Sequence, residues 1–127
     1  MGNREDSIVL KKAFDFALRI IQLNRELVAK HEFVLSKQVV RSGASIGANI
    51  NEALGGVSSK DFQHKMSIAF KEANETEYWL KLLKYSDTQN TDKLITDVVE
   101  LRKILSSIII TSKSNNQTIK SQKPFLK

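Results

Sequence analysis

The sequence predicts an all-α fold, an antiparallel up-down-up-down four-helix bundle with a disordered basic C-terminal tail. Four segments repeat apolar residues at intervals of three and four positions, as amphipathic helices do, and no segment alternates apolar and polar residues as a strand would. The segments between them are short, so successive helices should lie side by side and run in opposite directions. We therefore expect residues 1–112 to form the bundle and residues 113–127 to form a flexible tail.

The first predicted helix runs from Ser7, a suitable N-cap residue, to about His31. Its apolar residues cover about half of the helix circumference, whereas a surface helix usually needs a stripe of about 100°. These residues are Leu10, Ala13, Phe14, Phe16, Ala17, Ile20, Ile21, Leu23, Leu27 and Val28. The width of this face implies extra contacts, either with two neighbours in the bundle or with another subunit.

The other three helices follow from the same periodicity and from their end signals. The second spans about 35–54 and stops at the pair Gly55-Gly56, because glycine commonly ends a helix. The third covers about 58–86, and the fourth begins near residue 92. No linker is long enough to cross the length of the bundle, so each helix should pack beside the one before it.

The positive charge of the chain is concentrated at its C-terminal end. The formal net charge is +6, but residues 1–112 hold 16 Lys and Arg against 14 Asp and Glu. The four lysines of 113–127 have no acidic neighbour in the tail and are the possible nucleic-acid contacts: Lys113, Lys120, Lys123 and Lys127. A solvated chain end is the alternative interpretation. Since the predicted bundle is nearly neutral, we expect any phosphate binding to be weak.

The sequence contains no pattern typical of an enzyme. It has no cysteine, which excludes disulfides and thiolate metal sites, and it lacks nucleophile, Walker and dinucleotide motifs. Its carboxylates do not form the Glu-x-x-His pattern of a metal-binding bundle. We therefore predict no catalytic, cofactor-binding or metal-binding residue and no cofactor. With no apolar run of about 18 residues and a charged N-terminus, we expect a cytoplasmic protein with no membrane contact.

The second helix carries an unusual polar stripe beside its apolar face. Its members are spaced so that they share one side of the helix: Arg41, Ser45, Asn49 and Glu52. Glu75 and Glu77 lie on the third helix, and Glu77 falls within the apolar stripe of that helix, where an unpaired carboxylate would be costly. We expect these six residues to form a polar network, inside or between bundles, that fixes register and assembly. A solvated stripe is the alternative.

Gly43 and Gly47 lie on the apolar face of the same helix, where glycine is unfavourable, and they predict that another helix approaches closely at this point.

These residues resemble the family of small proteins named for 23S rRNA intervening sequences. The resemblance covers about residues 10–110. The matching elements in the second helix are Arg41-Ser42-x-x-Ser45-Ile46-x-x-Asn49-Ile50-x-Glu52 and the following Gly55. Those in the third are Asp61-Phe62, Ala69 and Ala73-Asn74-Glu75-x-Glu77-x-x-Leu80. The Gly55-Gly56-Val57 turn lacks the basic residue often found there in the family.

The resemblance implies an antiparallel four-helix bundle that assembles with copies of itself into a ring, a pentamer. A related bundle is an accessory subunit of a reverse transcriptase, and it binds nucleic acid and the polymerase through a basic surface. RNA or DNA and another protein such as a polymerase are therefore expected partners, besides the chain itself. The family name records where some of the genes lie and is not evidence of binding to ribosomal RNA.

Two functional interpretations remain open at this point. The leading one is a non-enzymatic homo-oligomeric bundle that serves as an adaptor or a weak nucleic-acid-binding module. The alternative is a purely structural or protein–protein interaction bundle with no nucleic-acid role.

Overall fold

A computed structural model describes residues 4–122 of the chain, with the side chains of residues 6–115. It contains four α-helices: α1 (Arg4–Ala29), α2 (Phe33–Leu54), α3 (Ser59–Tyr85) and α4 (Asp92–Gln122). Residues 4–122 contain no β-strand. The all-α four-helix fold predicted from the sequence is confirmed.

The four helices surround one apolar core, each packed against its neighbours along the chain, with α1 also packed against α4. Helices α2 and α3 run in opposite directions, because Ser42 contacts Thr76 whereas the later Glu52 contacts the earlier Lys65. Such pairing is the pattern expected for an up-down-up-down bundle. The largest fully buried side chains come from all four helices: Phe16, Ile20, Leu27, Ile46, Ile50, Met66, Leu80, Leu83 and Leu105.

Local side-chain hydrogen bonds fix where α2 and α3 begin. The Glu32 carboxylate accepts a bond of 3.1 Å from the Leu35 amide, and α2 therefore starts two residues before the predicted position. The Ser58 hydroxyl accepts a bond of 3.0 Å from the Asp61 amide, as predicted for the start of α3. These bonds satisfy amides that have no partner within the helix.

The outer ends of α1 and α4 lie beyond their predicted positions. Ser7 is not the N-cap of α1, because the helix already begins at Arg4. Helix α4 passes the predicted boundary at residue 112 and continues to Gln122. No glycine or proline interrupts 113–122, and Pro124 is the first helix-breaking residue after it. The first part of the predicted tail is therefore helical, and residues 123–127 lie outside the described chain.

The two turns at one end of the bundle are tied together by side chains. The Lys30 ammonium donates to the Thr88 carbonyl at 2.9 Å and to the Gln89 side chain. The Gln89 amide in turn donates to Glu26 at 2.9 Å. The turn between α1 and α2 is thereby held against the turn between α3 and α4, although the two are distant in sequence.

One residue in each of these turns has a left-handed backbone conformation. His31 has φ 64° and Asp87 has φ 57°, values that cost a non-glycine residue about 1 kcal/mol or more. We expect His31→Gly to raise the free energy of unfolding by about 1 kcal/mol, because glycine adopts this conformation freely. Thermal unfolding should then shift upward by roughly 3–5 °C.

The matched control for this substitution is His64→Gly, at an exposed position in the second turn of α3. There the same change should lower the free energy of unfolding by about 1 kcal/mol, since glycine is unfavourable within a helix. If both variants melted below the wild type, strain at His31 would be ruled out.

Candidate functional site

Arg41 of the predicted polar stripe reaches from α2 to two acidic residues of α3. Its guanidinium lies 3.5 Å from the Glu72 carboxylate and also pairs with Glu75. The Trp79 indole N–H donates to Glu75 at 2.9 Å. The structure therefore brings Arg41 and Glu75 together, and it adds Glu72 and Trp79, which the sequence did not place in the network. Helical spacing could have indicated both residues, because positions 72 and 79 lie about one turn from Glu75, one on each side.

The remaining members of the α2 stripe have more local partners. The Asn49 amide donates to the hydroxyl and the carbonyl of Ser45, at 3.0 and 2.9 Å, so this pair lies within α2. Glu52 pairs with Lys65 of α3 at 3.2 Å. Each of these contacts is separate from the one that Arg41 makes.

Glu77 lies on the opposite side of α3 and contacts α4. Its carboxylate is 3.2 Å from the Arg102 guanidinium and 2.9 Å from the Lys81 ammonium. These cations, above all the hydrogen-bonded Lys81, lower the pKa of Glu77 below its ordinary value. The structure does not bring Glu77 to Arg41. The six predicted residues thus lie in separate clusters on two sides of α3.

The lowered pKa of Glu77 predicts a pH-dependent effect of Glu77→Gln. Because the folded protein favours the ionised carboxylate, its contribution is present above the ordinary pKa and is lost as the pH falls through the lowered value. We expect the variant to be less stable than the wild type at pH 7, by about 1 kcal/mol, and the difference to shrink as the pH falls below the ordinary pKa of a glutamate.

Urea unfolding of both proteins across this pH range measures the difference. Glu52→Gln is the matched control, since it removes the same charge from a more exposed pair that should contribute less. A difference for Glu77→Gln that stayed constant from pH 7 to pH 3 would contradict the ion-pair explanation.

A buried hydroxyl pair joins α2 and α3 directly beneath Arg41. The Thr76 hydroxyl lies 2.8 Å from the Ser42 hydroxyl and 2.7 Å from the Glu72 carbonyl. This pair was not predicted from the sequence. Both residues are small and polar at positions that share the core-facing side of their helices.

The outer surface between α1 and α2 contains an apolar groove with a volume of about 830 Å³. Three residues of α1 and three small residues of α2 line most of it: Leu10, Phe14, Ala17, Ala44, Gly47 and Ala48. The groove exists because α2 has little side-chain volume on this face. A Cβ atom at Gly43 would lie 2.9 Å from two carbons of Ile20 in α1, so the helices approach closely, as predicted.

Large apolar side chains extend this groove along the outside of the bundle. They are exposed in the single chain and lie on the outer part of α1 or at the start of α2: Phe14, Leu18, Ile21, Val28 and Phe33. Phe14 alone is 63% exposed. A monomeric protein rarely leaves a continuous apolar surface of this length in water. We call this surface, with the groove, the α1/α2 apolar face.

The predicted tail lysines are only partly within the described chain. Lys113 is exposed on α4. Lys120 belongs to the same helix, but the described side chains end before it, and Lys123 and Lys127 lie outside the described residues.

Within the described part of the chain, no three Asp, Glu or His side chains come together as metal ligands. None of the helices there has a segment long and apolar enough to cross a membrane.

Comparison with known proteins agrees with the resemblance seen in the sequence. The profile of the 23S rRNA-intervening sequence protein family matches residues 5–107. The fold is similar to the crystal structure of a protein of unknown function from the S23 ribosomal protein family of Bacteroides thetaiotaomicron VPI-5482, with a TM-score of 0.80 and 48% identity. That match covers 83% of this chain and 97% of the other. No curated protein matches this chain. The chain therefore belongs to the 23S rRNA-intervening sequence protein family.

Proposed function

We propose that this protein is a non-enzymatic subunit of a homo-oligomeric ring that serves as an adaptor. The observation that carries the proposal is the α1/α2 apolar face, whose side chains remain in water in the single chain. Covering this face with a second copy removes that apolar area from water and stabilises the assembly. The family resemblance supports five copies in the ring.

The polar cluster around Arg41 supports the same proposal in a second way. Arg41 is half-exposed, with its partners on α3 less exposed, so the charge lies at the surface where α2 and α3 meet. Polar groups at such positions fix the register of an assembly and exclude other arrangements. We propose that this cluster orients neighbouring subunits while the apolar face supplies most of the association energy.

Weak contact with nucleic acid is the second part of the proposed role. It is supported by the excess positive charge at the C-terminal end of the chain and by the exposure of Lys113. A purely structural or protein–protein interaction bundle remains the alternative, and a probe that did not bind at low salt would favour it. Binding to a polymerase and a cytoplasmic location remain predictions.

A single cysteine in the groove tests the assembly, because the natural chain has none. Ala48 is exposed in the single chain and lines the groove, and Val57, which is 96% exposed in the turn after α2, is the matched control. We expect Ala48→Cys to react with a maleimide much more slowly than Val57→Cys at high protein concentration. On dilution below the dissociation constant of the assembly the two rates should converge. Equal rates at every concentration would overturn the proposal.

A further inference from the structure

The outer face of α3 differs in charge from the surface of the other helices. Its exposed residues include lysines and aromatic residues but no acidic one: Ser59, Lys60, His64, Lys71, Asn74, Tyr78, Lys81, Leu82 and Tyr85. Each of the other helices has at least one exposed carboxylate, such as Asp15, Glu52 or Glu100. The acidic residues of α3 are partly buried, and three of them, Glu72, Glu75 and Glu77, are paired with cations on its flanks. The result is an acid-free stripe along α3, which we call the α3 basic face.

Two lysines of this face have no acidic partner among the described side chains. No carboxylate among the described side chains lies within ion-pair distance of Lys60 or Lys71, and Lys81 shares Glu77 with Arg102. In contrast, Lys12 and Arg19 of α1 are each paired with an acid of α4. The free cations of α3 are therefore available to an external anion. From Lys60 to Tyr85 the face runs for about 38 Å along the helix.

Exposed tyrosines lie on the same face as these lysines. Tyr78 is 56% exposed and Tyr85 is 74% exposed, and they are seven positions apart in the sequence, so they lie about 10 Å apart along the helix. The ring of Tyr78 is held edge-on against Trp79, with centroids 5.2 Å apart and an angle of 68°. The Lys84 ammonium lies 5.0 Å from the centre of the Tyr85 ring. Both rings thus have neighbours that limit their motion while leaving part of each ring exposed.

We propose that the α3 basic face binds single-stranded nucleic acid. Bases stack on Tyr78 and Tyr85, and the phosphates contact Lys60, Lys71 and Lys81. Exposed aromatic rings combined with exposed cations are the combination that binds single strands without sequence preference. A patch for an acidic protein would need the cations but not the flat rings. This proposal deepens the nucleic-acid part of the proposed function and moves the main contact from the tail lysines to α3.

The chain contains one tryptophan, Trp79, and its contact with Tyr78 makes it a reporter for the site. The full chain is titrated with oligo(dT) and oligo(U) of about 15 nucleotides while tryptophan fluorescence is followed. We expect a saturable change that weakens with salt. Three phosphate contacts predict a slope of log K against log salt of about −2. Poly-L-glutamate, which carries charge but no bases, should bind much more weakly.

Four variants locate the contact. Tyr78→Ala should weaken binding at least about fivefold, whereas Tyr78→Phe should bind nearly as well as the wild type, because stacking needs the ring and not the hydroxyl. Lys71→Gln should reduce the salt slope by about 0.7. Lys93→Gln, which removes the same charge from the seam between α1 and α4, should leave the slope unchanged.

Several results would overturn the proposal. They are the absence of binding at low salt, equal binding of poly-L-glutamate, and an unchanged affinity in Tyr78→Ala. Loss of all binding when the four tail lysines are changed to glutamine would also contradict it, since it would place the contact on the tail. Light scattering of the same samples reports assembly separately, so failure of this proposal is distinguishable from failure of the proposed ring.

Discussion

Phe14→Asp is expected to convert the assembly into folded monomers of 14.4 kDa. Phe14 is the most exposed large apolar residue of α1 and lines the groove at its centre. In the proposed ring its side chain is covered by a second copy, and a carboxylate there would be buried among apolar side chains, while Lys11 at the edge of the groove is already paired with Asp15. Such a burial costs several kcal/mol, enough to dissociate the complex.

The fold of the Phe14→Asp subunit should survive. Phe14 is not part of the bundle core, so helical content measured by circular dichroism should remain that of the wild type. Val57→Asp is the control for an added charge, since Val57 lies in the turn after α2 away from the groove. A Phe14→Asp protein that kept the wild-type mass in light scattering would exclude the α1/α2 apolar face as the interface.

Gly43→Ala is expected to lower the free energy of unfolding by about 1–2 kcal/mol, although alanine favours a helix. The added Cβ would lie 2.9 Å from both γ carbons of the fully buried Ile20, which cannot move away without disturbing the core. Gly47→Ala is the matched control. Its Cβ would lie 3.5 Å from Ala13, an ordinary contact, so that variant should be at least as stable as the wild type.

A double-mutant cycle assigns the cost to the contact between Gly43 and Ile20. Ile20→Ala alone should be strongly destabilising, by about 2–5 kcal/mol, because it leaves a cavity. In that background, Gly43→Ala should become stabilising, since its methyl group enters the vacated space and favours the helix. Urea unfolding of the four proteins gives the coupling energy. Equal effects of Gly43→Ala on the free energy of unfolding in both backgrounds would show that the contact with Ile20 does not cause the loss of stability.

The helices themselves could be predicted from the sequence because apolar periodicity and end signals are local properties of the chain. The stop at Gly55 and the start near Ser58 depend only on neighbouring residues, and both are found as expected. The start of α2 differed because the Glu32 carboxylate caps it in place of a more usual residue. The length of α4 differed from the prediction because the flexible tail was predicted from the polar composition of residues 113–127. A polar composition does not exclude a helix.

Partners across helices were harder to predict, because a helical wheel gives a direction but not the neighbour in that direction. It correctly placed Glu77 toward the interior, but only the packing of α3 against α4 identifies Arg102 as its partner. The wheel likewise could not show that Asn49 would bond within its own helix. The width of the apolar face on α1 was visible in the sequence, whereas the groove depends on the small residues of α2 opposite it.

The particle mass of the wild-type protein in solution tests the central claim most directly. Native mass spectrometry or light scattering of the full chain should give about five times the subunit mass of 14.4 kDa, near 72 kDa, and lower masses on dilution. A mass that corresponds to another number of copies would still support the apolar interface and would change only the number of subunits in the ring. A mass of 14.4 kDa at every concentration would contradict the account, since the α1/α2 apolar face would then be exposed in the working protein.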